Sequence, residues 1–147
     1  MNWVVRAHRA SDTSPTSVIV KRFGAHAASA PEIALDPDRF LFEARALKAA
    51  PALLDRSQVS VPKLLAELEH ERLLVLEDLR EGISLESWLP ETTVSGAHTI
   101  GQRIGHAIGS LHRNGSDAHL RKDFDNRKTQ QARLDNQYAH VGEWLGR

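Results

Sequence analysis

The amino-acid sequence predicts an α+β fold, in which an antiparallel sheet with one packed helix is followed by a mainly helical part. Two observations indicate this class. Apolar runs of strand length fall in two pairs, within residues 3–23 and 61–77, and one amphipathic segment separates the pairs. From about residue 95 onward, apolar residues recur at helical spacing. Strand pairs and helices are thus segregated along the chain, unlike the regular alternation that builds parallel sheets.

The first strand pair is predicted at 3–9 and 18–23, because both runs contain β-branched residues and a polar, turn-forming loop at 11–17 separates them. The connection at 24–35 has no clear periodicity, so we expect a flexible segment. Asp36 and Pro37 then favour a helix start, with an acceptor side chain at the cap and proline in the first turn. The helix is predicted over 37–50, and Pro51 is expected to stop it.

That helix is predicted to be amphipathic, with an apolar stripe of Phe40, Ala44 and Leu47, and with Glu43 beside the stripe. The second strand pair is predicted at 61–68 and 72–77, with a polar turn near 69–71. Its second strand is almost continuously apolar, which is typical of a central strand covered on both faces. The polar segment 77–82 then leaves the sheet, and such an exit often carries a binding site.

The last third of the chain is predicted to be helical. Ser84 caps a short helix that runs through Trp88, and Gly115 ends a longer helix that starts near Ser95. The apolar stripe of the longer helix is Ile100, Ile104, Ile108 and Leu111. The neighbouring face carries Gly101, Gly105 and Gly109, which predicts close approach of another element. After a polar, irregular stretch at 116–127, a last amphipathic helix is marked by Leu134, Tyr138, Val141 and Leu145.

Composition narrows the possible functions. The 147 residues are 41% hydrophobic, enough for one domain with a sizeable core. The 19 Lys and Arg residues balance 19 Asp and Glu residues, so charge favours neither nucleic acid nor a membrane surface as a partner. The chain has no cysteine, no signal-peptide pattern at its start and no apolar run near the roughly 20 residues that span a bilayer. We therefore expect a soluble, cytoplasmic protein.

Lys21 and Glu43 are the most informative pair of residues. An apolar strand that ends on a lysine needs an anionic partner, and the following helix offers Glu43 on its apolar side. These features predict an ion pair. The alternative is that Lys21 extends to solvent from the strand end and that Glu43 lies on the exposed side of its helix.

Several segments, taken in order, resemble the N-terminal lobe and hinge of the aminoglycoside phosphotransferase family, which belongs to the protein-kinase-like superfamily. The resemblance covers residues 2–115. The segments that carry it are NWVVR at 2–6, VIVK at 18–21, FEARAL at 42–47, VPKLL at 61–65, LLVLEDL at 73–79, SLESWL at 84–89 and IGSLH at 108–112. The resemblance implies a kinase-like N-lobe and hinge over 1–82, without its first strand, and the helical start of a C-lobe over 83–147.

The resemblance also implies roles for individual residues. Lys21 would bind the α- and β-phosphates of ATP, and Glu43 would hold Lys21 in place. At the hinge, the Glu77 carbonyl would accept from the adenine amine, the Leu79 N–H would donate to the ring, and Leu76 would line the back of the pocket. The alternative for this segment is an ordinary turn between a strand and a helix.

The catalytic part of the family pattern is not found. Such kinases use His-x-Asp-x-x-x-x-Asn and a later Asp to orient the acceptor and bind Mg²⁺. The nearest segment, 119–126, has Arg121 where the catalytic Asp should stand, and arginine neither accepts a proton nor binds Mg²⁺. We therefore interpret this segment, including Asp123-Phe124-Asp125, as a solvated loop. The eight histidines lack a paired helical spacing, so we predict no zinc site.

The sequence thus predicts a fragment of a small-molecule phosphotransferase. With ATP and Mg²⁺, the intact enzyme would transfer the γ-phosphoryl group to a hydroxyl on a small acceptor; the chain as it stands would not. The alternative is a catalytically inactive, pseudokinase-like binding or interaction module. Apolar helix faces near 100–111 and 134–145 would then serve for partner binding or self-association.

Overall fold

A computed structural model of the chain describes residues 2–8, 10, 17–27, 31, 33–55, 57–80, 82–116 and 123–138. Four strands form one antiparallel sheet: β1 (Asn2–His8), β2 (Ser17–Phe23), β3 (Leu64–Leu68) and β4 (Leu73–Glu77). The helices are α1 (Arg39–Leu53), α2 (Leu85–Trp88), α3 (Val94–Asn114) and α4 (Arg127–Tyr138), with a 3₁₀ turn at Leu89–Glu91. The predicted α+β class is confirmed.

The strand order in the sheet is β1-β2-β4-β3. Lys21 of β2 lies opposite Leu74 of β4, and Ile19 lies opposite Leu76, so these four side chains share one face of the sheet. The predicted central position of β4 is confirmed. The prediction that both of its faces are covered is wrong, because Leu74 and Leu76 are buried while the alternate residues of β4 are only partly buried.

Helix α1 packs on the face of the sheet that carries Lys21. The core consists of two buried residues of α1 and three buried residues of the strands: Phe23, Phe40, Ala44, Leu74 and Leu76. The rings of Phe23 and Phe40 meet in a tilted arrangement, with their centroids 6.2 Å apart. This packing fixes the helix over β2 and β4, so a side chain on the flank of α1 can reach the end of β2.

Both predicted ends of α1 are wrong. The N-cap residue is Asp38, and the Asp36 carboxylate accepts instead from the Asp38 N–H at 3.0 Å, which stabilises the turn before the helix. The helix passes through Pro51 and ends at Leu53. Proline lacks one backbone donor, but the Leu54 N–H still donates to the Ala50 carbonyl at 2.9 Å, so the last turn closes around it.

The connection before α1 is more ordered than predicted. Its described residues form a bridge between His26 and Ala34, and the Leu35 N–H donates to the Ala25 carbonyl at 2.7 Å. Arg39 also donates to the Gly24 carbonyl at 2.9 Å and lies over the Phe23 ring. Polar contacts therefore hold this segment against the sheet and α1. Hydrophobic periodicity does not predict such contacts.

Helix α3 starts after Thr93, whose hydroxyl accepts from the Gly96 N–H at 3.1 Å, and it ends at Gly115. The sequence predicted that another element approaches Gly101, Gly105 and Gly109 closely, and this prediction is wrong for the described part of the chain. A Cβ atom built at any of the three glycines would have no atom of another described element within 4 Å. Helix α4 begins at Arg127, before the predicted apolar positions, and Val141 and Leu145 fall outside the described residues. None of the described helices is both long and apolar enough to cross a membrane.

Candidate functional site

Lys21 and Glu43 form a bidentate ion pair. The Lys21 Nζ atom donates to Glu43 Oε1 at 2.6 Å and to Oε2 at 2.7 Å. The register of β2 places Lys21 on the face covered by α1, and Glu43 precedes the fully buried Ala44 on that helix. The lysine and glutamate side chains are 22% and 34% exposed. The structure thus brings together the two residues that the sequence singled out, and Lys21 does not extend freely into solvent.

This geometry leaves the lysine able to bind an anion. An ammonium group has three N–H donors, and the two carboxylate oxygens occupy two of them. The Phe23 ring centroid lies 5.1 Å from Nζ, and the face of the ring supports the positive charge. Because the pair is partly exposed, a negatively charged ligand can approach without unfolding the sheet or α1.

The residues predicted to contact adenine, Leu76, Glu77 and Leu79, lie at the end of β4 and just beyond it. Leu76 is buried beside Ile19, on the same face as Lys21. Glu77 is fixed by Lys63, since the Glu77 N–H donates to the Lys63 carbonyl at 2.9 Å and Glu77 Oε2 accepts from the Lys63 N–H at 3.1 Å. Leu79 is 50% exposed, and its carbonyl accepts from the Gly82 N–H at 3.1 Å.

Two clefts lined by described residues border these side chains, and each includes only some of them. A cleft of about 430 Å³ lies between the C-terminal half of α1 and the start of β3, and Glu77 and Leu79 line it. An apolar cleft of about 400 Å³ lies between α1 and Leu111 of α3, with Glu43 at its border. Lys21 lines neither cleft. Of the predicted site residues, Glu43 thus lines one of these clefts, and Glu77 and Leu79 line the other.

A second polar cluster lies at the end of β4, and the sequence alone did not reveal it. Asp78 Oδ2 lies 2.8 Å from Arg6 Nε, Asp78 Oδ1 accepts from Arg6 Nη2 at 3.1 Å, and the Ser17 hydroxyl donates to Asp78 Oδ2. Arg80 Nε donates to the Ser17 hydroxyl at 2.6 Å and lies 3.5 Å from Asp78 Oδ2. We call Arg6, Ser17, Asp78 and Arg80 the Asp78 network.

The network favours the charged form of Asp78. The hydrogen bond from Ser17, followed by the hydrogen bond and charge of Arg6, holds the pKa of Asp78 below its usual range, although burial acts in the opposite direction. The one sequence signal for this cluster was the position of an aspartate directly after a buried strand. Its partners Arg6 and Ser17 lie 72 and 61 positions away, and no local pattern links them to Asp78.

The described residues do not supply a magnesium site. None of their His, Asp and Glu side chains gather in groups of three that could hold a metal ion. Of the segment 119–126, only residues 123–126 are described, and they have structural contacts. The Asp123 carbonyl accepts from Arg45 at 3.2 Å, Asp125 accepts from Arg127 at 3.0 Å, and Asn126 accepts from the Thr129 N–H at 3.3 Å at the start of α4.

Comparisons with protein-family models, with curated protein sequences and with solved structures found no match to this chain.

Proposed function

We propose that this chain binds ATP as the nucleotide-binding lobe of a kinase-like, small-molecule phosphotransferase. The observation that carries the proposal is the bidentate contact of Lys21 Nζ with Glu43, at 2.6 and 2.7 Å. A lysine on a strand and a glutamate on the packed helix are the pair that positions ATP phosphates in kinases. The cysteine-free composition is compatible with the cytoplasmic location that the proposal includes.

In this proposal each residue has a defined task. Lys21 neutralises the α- and β-phosphates, and Glu43 keeps its ammonium extended and charged. The Glu77 carbonyl and the Leu79 N–H hold the adenine edge, with Leu76 behind the base. Bound Mg²⁺ would neutralise the β- and γ-phosphates, but the described residues offer no ligand group for it, and we assign it no step.

The proposal assigns nucleotide binding, and not phosphoryl transfer, to these 147 residues. In an intact enzyme the γ-phosphoryl group would pass to a hydroxyl on a small molecule, which requires a carboxylate to orient that hydroxyl. The sequence contains no His-x-Asp-x-x-x-x-Asn to provide one. Purified protein mixed with Mg-ATP is therefore expected to release no ADP above background, and robust turnover would contradict this assignment.

Nucleotide binding is tested by thermal unfolding with and without ATP. A ligand at 100 times its Kd stabilises the folded state by about 2.7 kcal/mol, which raises Tm by several degrees. We expect this increase for the wild-type chain and its loss in Lys21→Met. The matched control is Lys128→Met, which removes an α4 lysine that is 81% exposed and paired with Asp36, outside both clefts. Equal ATP-dependent increases in the two variants would contradict the role of Lys21.

A second candidate function is that of an interaction module, and the surface of α3 favours it. Its apolar stripe is open to solvent, with Ile104, Ile108 and Leu111 exposed by 41%, 49% and 40%. We expect the weight-average mass in sedimentation experiments to rise with protein concentration, and to rise less in Ile108→Gln. Gln102→Ala on the same helix is the control. A constant monomer mass at all concentrations would exclude self-association through this surface.

A further inference from the structure

The Asp78 network joins three separate parts of the chain at one end of the sheet. Arg6 comes from β1, Ser17 begins β2, and Asp78 and Arg80 follow β4. The Asp78 side chain is only 3% exposed, and Ser17 is 4% exposed. A buried carboxylate is stable only when its oxygens are satisfied by donors, and three donor side chains converge on this one. The network is therefore a built feature of the fold and not a chance surface contact.

The network lies on the face of the sheet that carries Lys21. Arg6 lies opposite Ile19 in the β1–β2 register, and Ile19 lies opposite Leu76 in the β2–β4 register. These three residues form one row across the strands, and Lys21 is two positions from Ile19 along β2. Arg6 reaches Asp78 from this row, so the network stands beside the segment that the proposed function assigns to adenine.

We propose that Asp78 is a positioning residue for the nucleotide base, an inference that rests on the proposed function. Asp78 lies between the Glu77 carbonyl and the Leu79 N–H, the two backbone groups assigned to adenine. Because Arg6, Ser17 and Arg80 hold its side chain, the conformation of residue 78 is fixed. The spacing and direction of the two neighbouring backbone groups are fixed with it. Asp78 itself does not touch the base.

Asp78→Asn tests this role. The amide keeps the size of the side chain, but an NH2 group replaces one carboxylate oxygen. That group cannot accept a hydrogen bond from Ser17 or from the arginines. We expect ATP and adenosine to bind about tenfold more weakly, while tripolyphosphate, which has no base, binds as to the wild type. Lys21→Met should show the opposite pattern, with a larger loss for tripolyphosphate than for adenosine. Kd values are measured by calorimetric titration of each probe.

Two further variants complete the test: one is a control outside the network, and the other is a second change within it. Glu86→Gln removes an exposed carboxylate of α2 outside the network and should leave all Kd values unchanged. Arg80→Gln removes a network residue whose side chain is 45% exposed, and it replaces Asp78→Asn if that variant does not fold. Circular dichroism and Tm without ligand establish that each variant is folded.

The outcomes separate this inference from the proposed function. A selective loss of adenosine binding in folded Asp78→Asn or Arg80→Gln supports the inference. Wild-type affinities for all three probes, or an equal loss for all of them, overturn it while the proposed function stands. If the wild-type chain binds none of the probes, the proposed function fails, and the positioning role fails with it.

Discussion

At the scale of single residues, Asp78 makes the stability of the folded chain depend on pH. Its pKa is lowered in the folded state by Ser17 and Arg6, whereas an aspartate in an unfolded chain has a pKa of about 3.9. The stabilisation from its charged form is therefore complete above that unfolded value. It is lost as the pH falls through the lower, folded-state pKa.

We therefore predict a pH-dependent difference between the wild-type chain and Asp78→Asn. The wild type should have the larger free energy of unfolding at pH 7, and the difference should shrink below about pH 4. Urea unfolding at pH 7, 5 and 3 measures it. Asp36, whose pKa is lowered by the Asp38 N–H and by Lys128, is present in both proteins and does not affect the difference. A difference that stays constant down to pH 3 would show that Asp78 does not stabilise the fold through its charge.

The two polar clusters show which residues a sequence can reveal. Lys21 and Glu43 could be paired in advance, because each stands out in its own element: a lysine at the end of an apolar strand, and a glutamate beside an apolar stripe. No comparable sequence feature singles out Arg6, Ser17 or Arg80. They lie in polar or mixed segments, and the registers of β1 on β2 and of β2 on β4 together bring Arg6 to Asp78.

At the scale of elements, the position of Glu43 depends on how α1 packs against the sheet. Phe40 is 2% exposed and contacts Phe23, whereas Phe42 lies two positions along and is only partly buried. We predict that Phe40→Ala lowers the free energy of unfolding by about 3–5 kcal/mol and that Phe42→Ala, the matched control, costs less. Urea unfolding of both variants measures this difference. Equal losses would contradict the packing of α1 through Phe40.

Element positions were easier to predict than element ends. The apolar runs located all four strands and α1. In α1 and β4 the buried residues share one face, Phe40 with Ala44 and Leu74 with Leu76, and burial of that face imposes a period that the sequence carries. The ends depend on single hydrogen bonds. Asp36 and Pro51 both have the local chemistry of a helix end, yet α1 begins at Arg39, after an N-cap residue whose side chain makes no capping hydrogen bond, and it continues to Leu53. Small free energies from neighbouring contacts decide such cases.

At the scale of the whole molecule, the described elements form one sheet with α1 on the face that carries Lys21. The Lys21–Glu43 pair lies beside that helix, and the Asp78 network lies at the end of the same face. The α+β class followed from the order of strands and helices along the chain. The clefts beside Glu43 and beside Glu77 and Leu79 did not follow from it, since they depend on how α1, α3 and β3 pack together.

The most direct measurement is chemical labelling of Lys21, the lysine that we propose binds the phosphates. An ATP derivative with a carboxylic acid joined to its terminal phosphate transfers its acyl group to a nearby amine, and peptide mass spectrometry then identifies the modified lysine. We predict acylation at Lys21 well above that at Lys48 and Lys63, with suppression by excess ATP and by Glu43→Gln. Equal labelling of the three lysines, or labelling that excess ATP does not reduce, would contradict nucleotide binding at the Lys21–Glu43 pair.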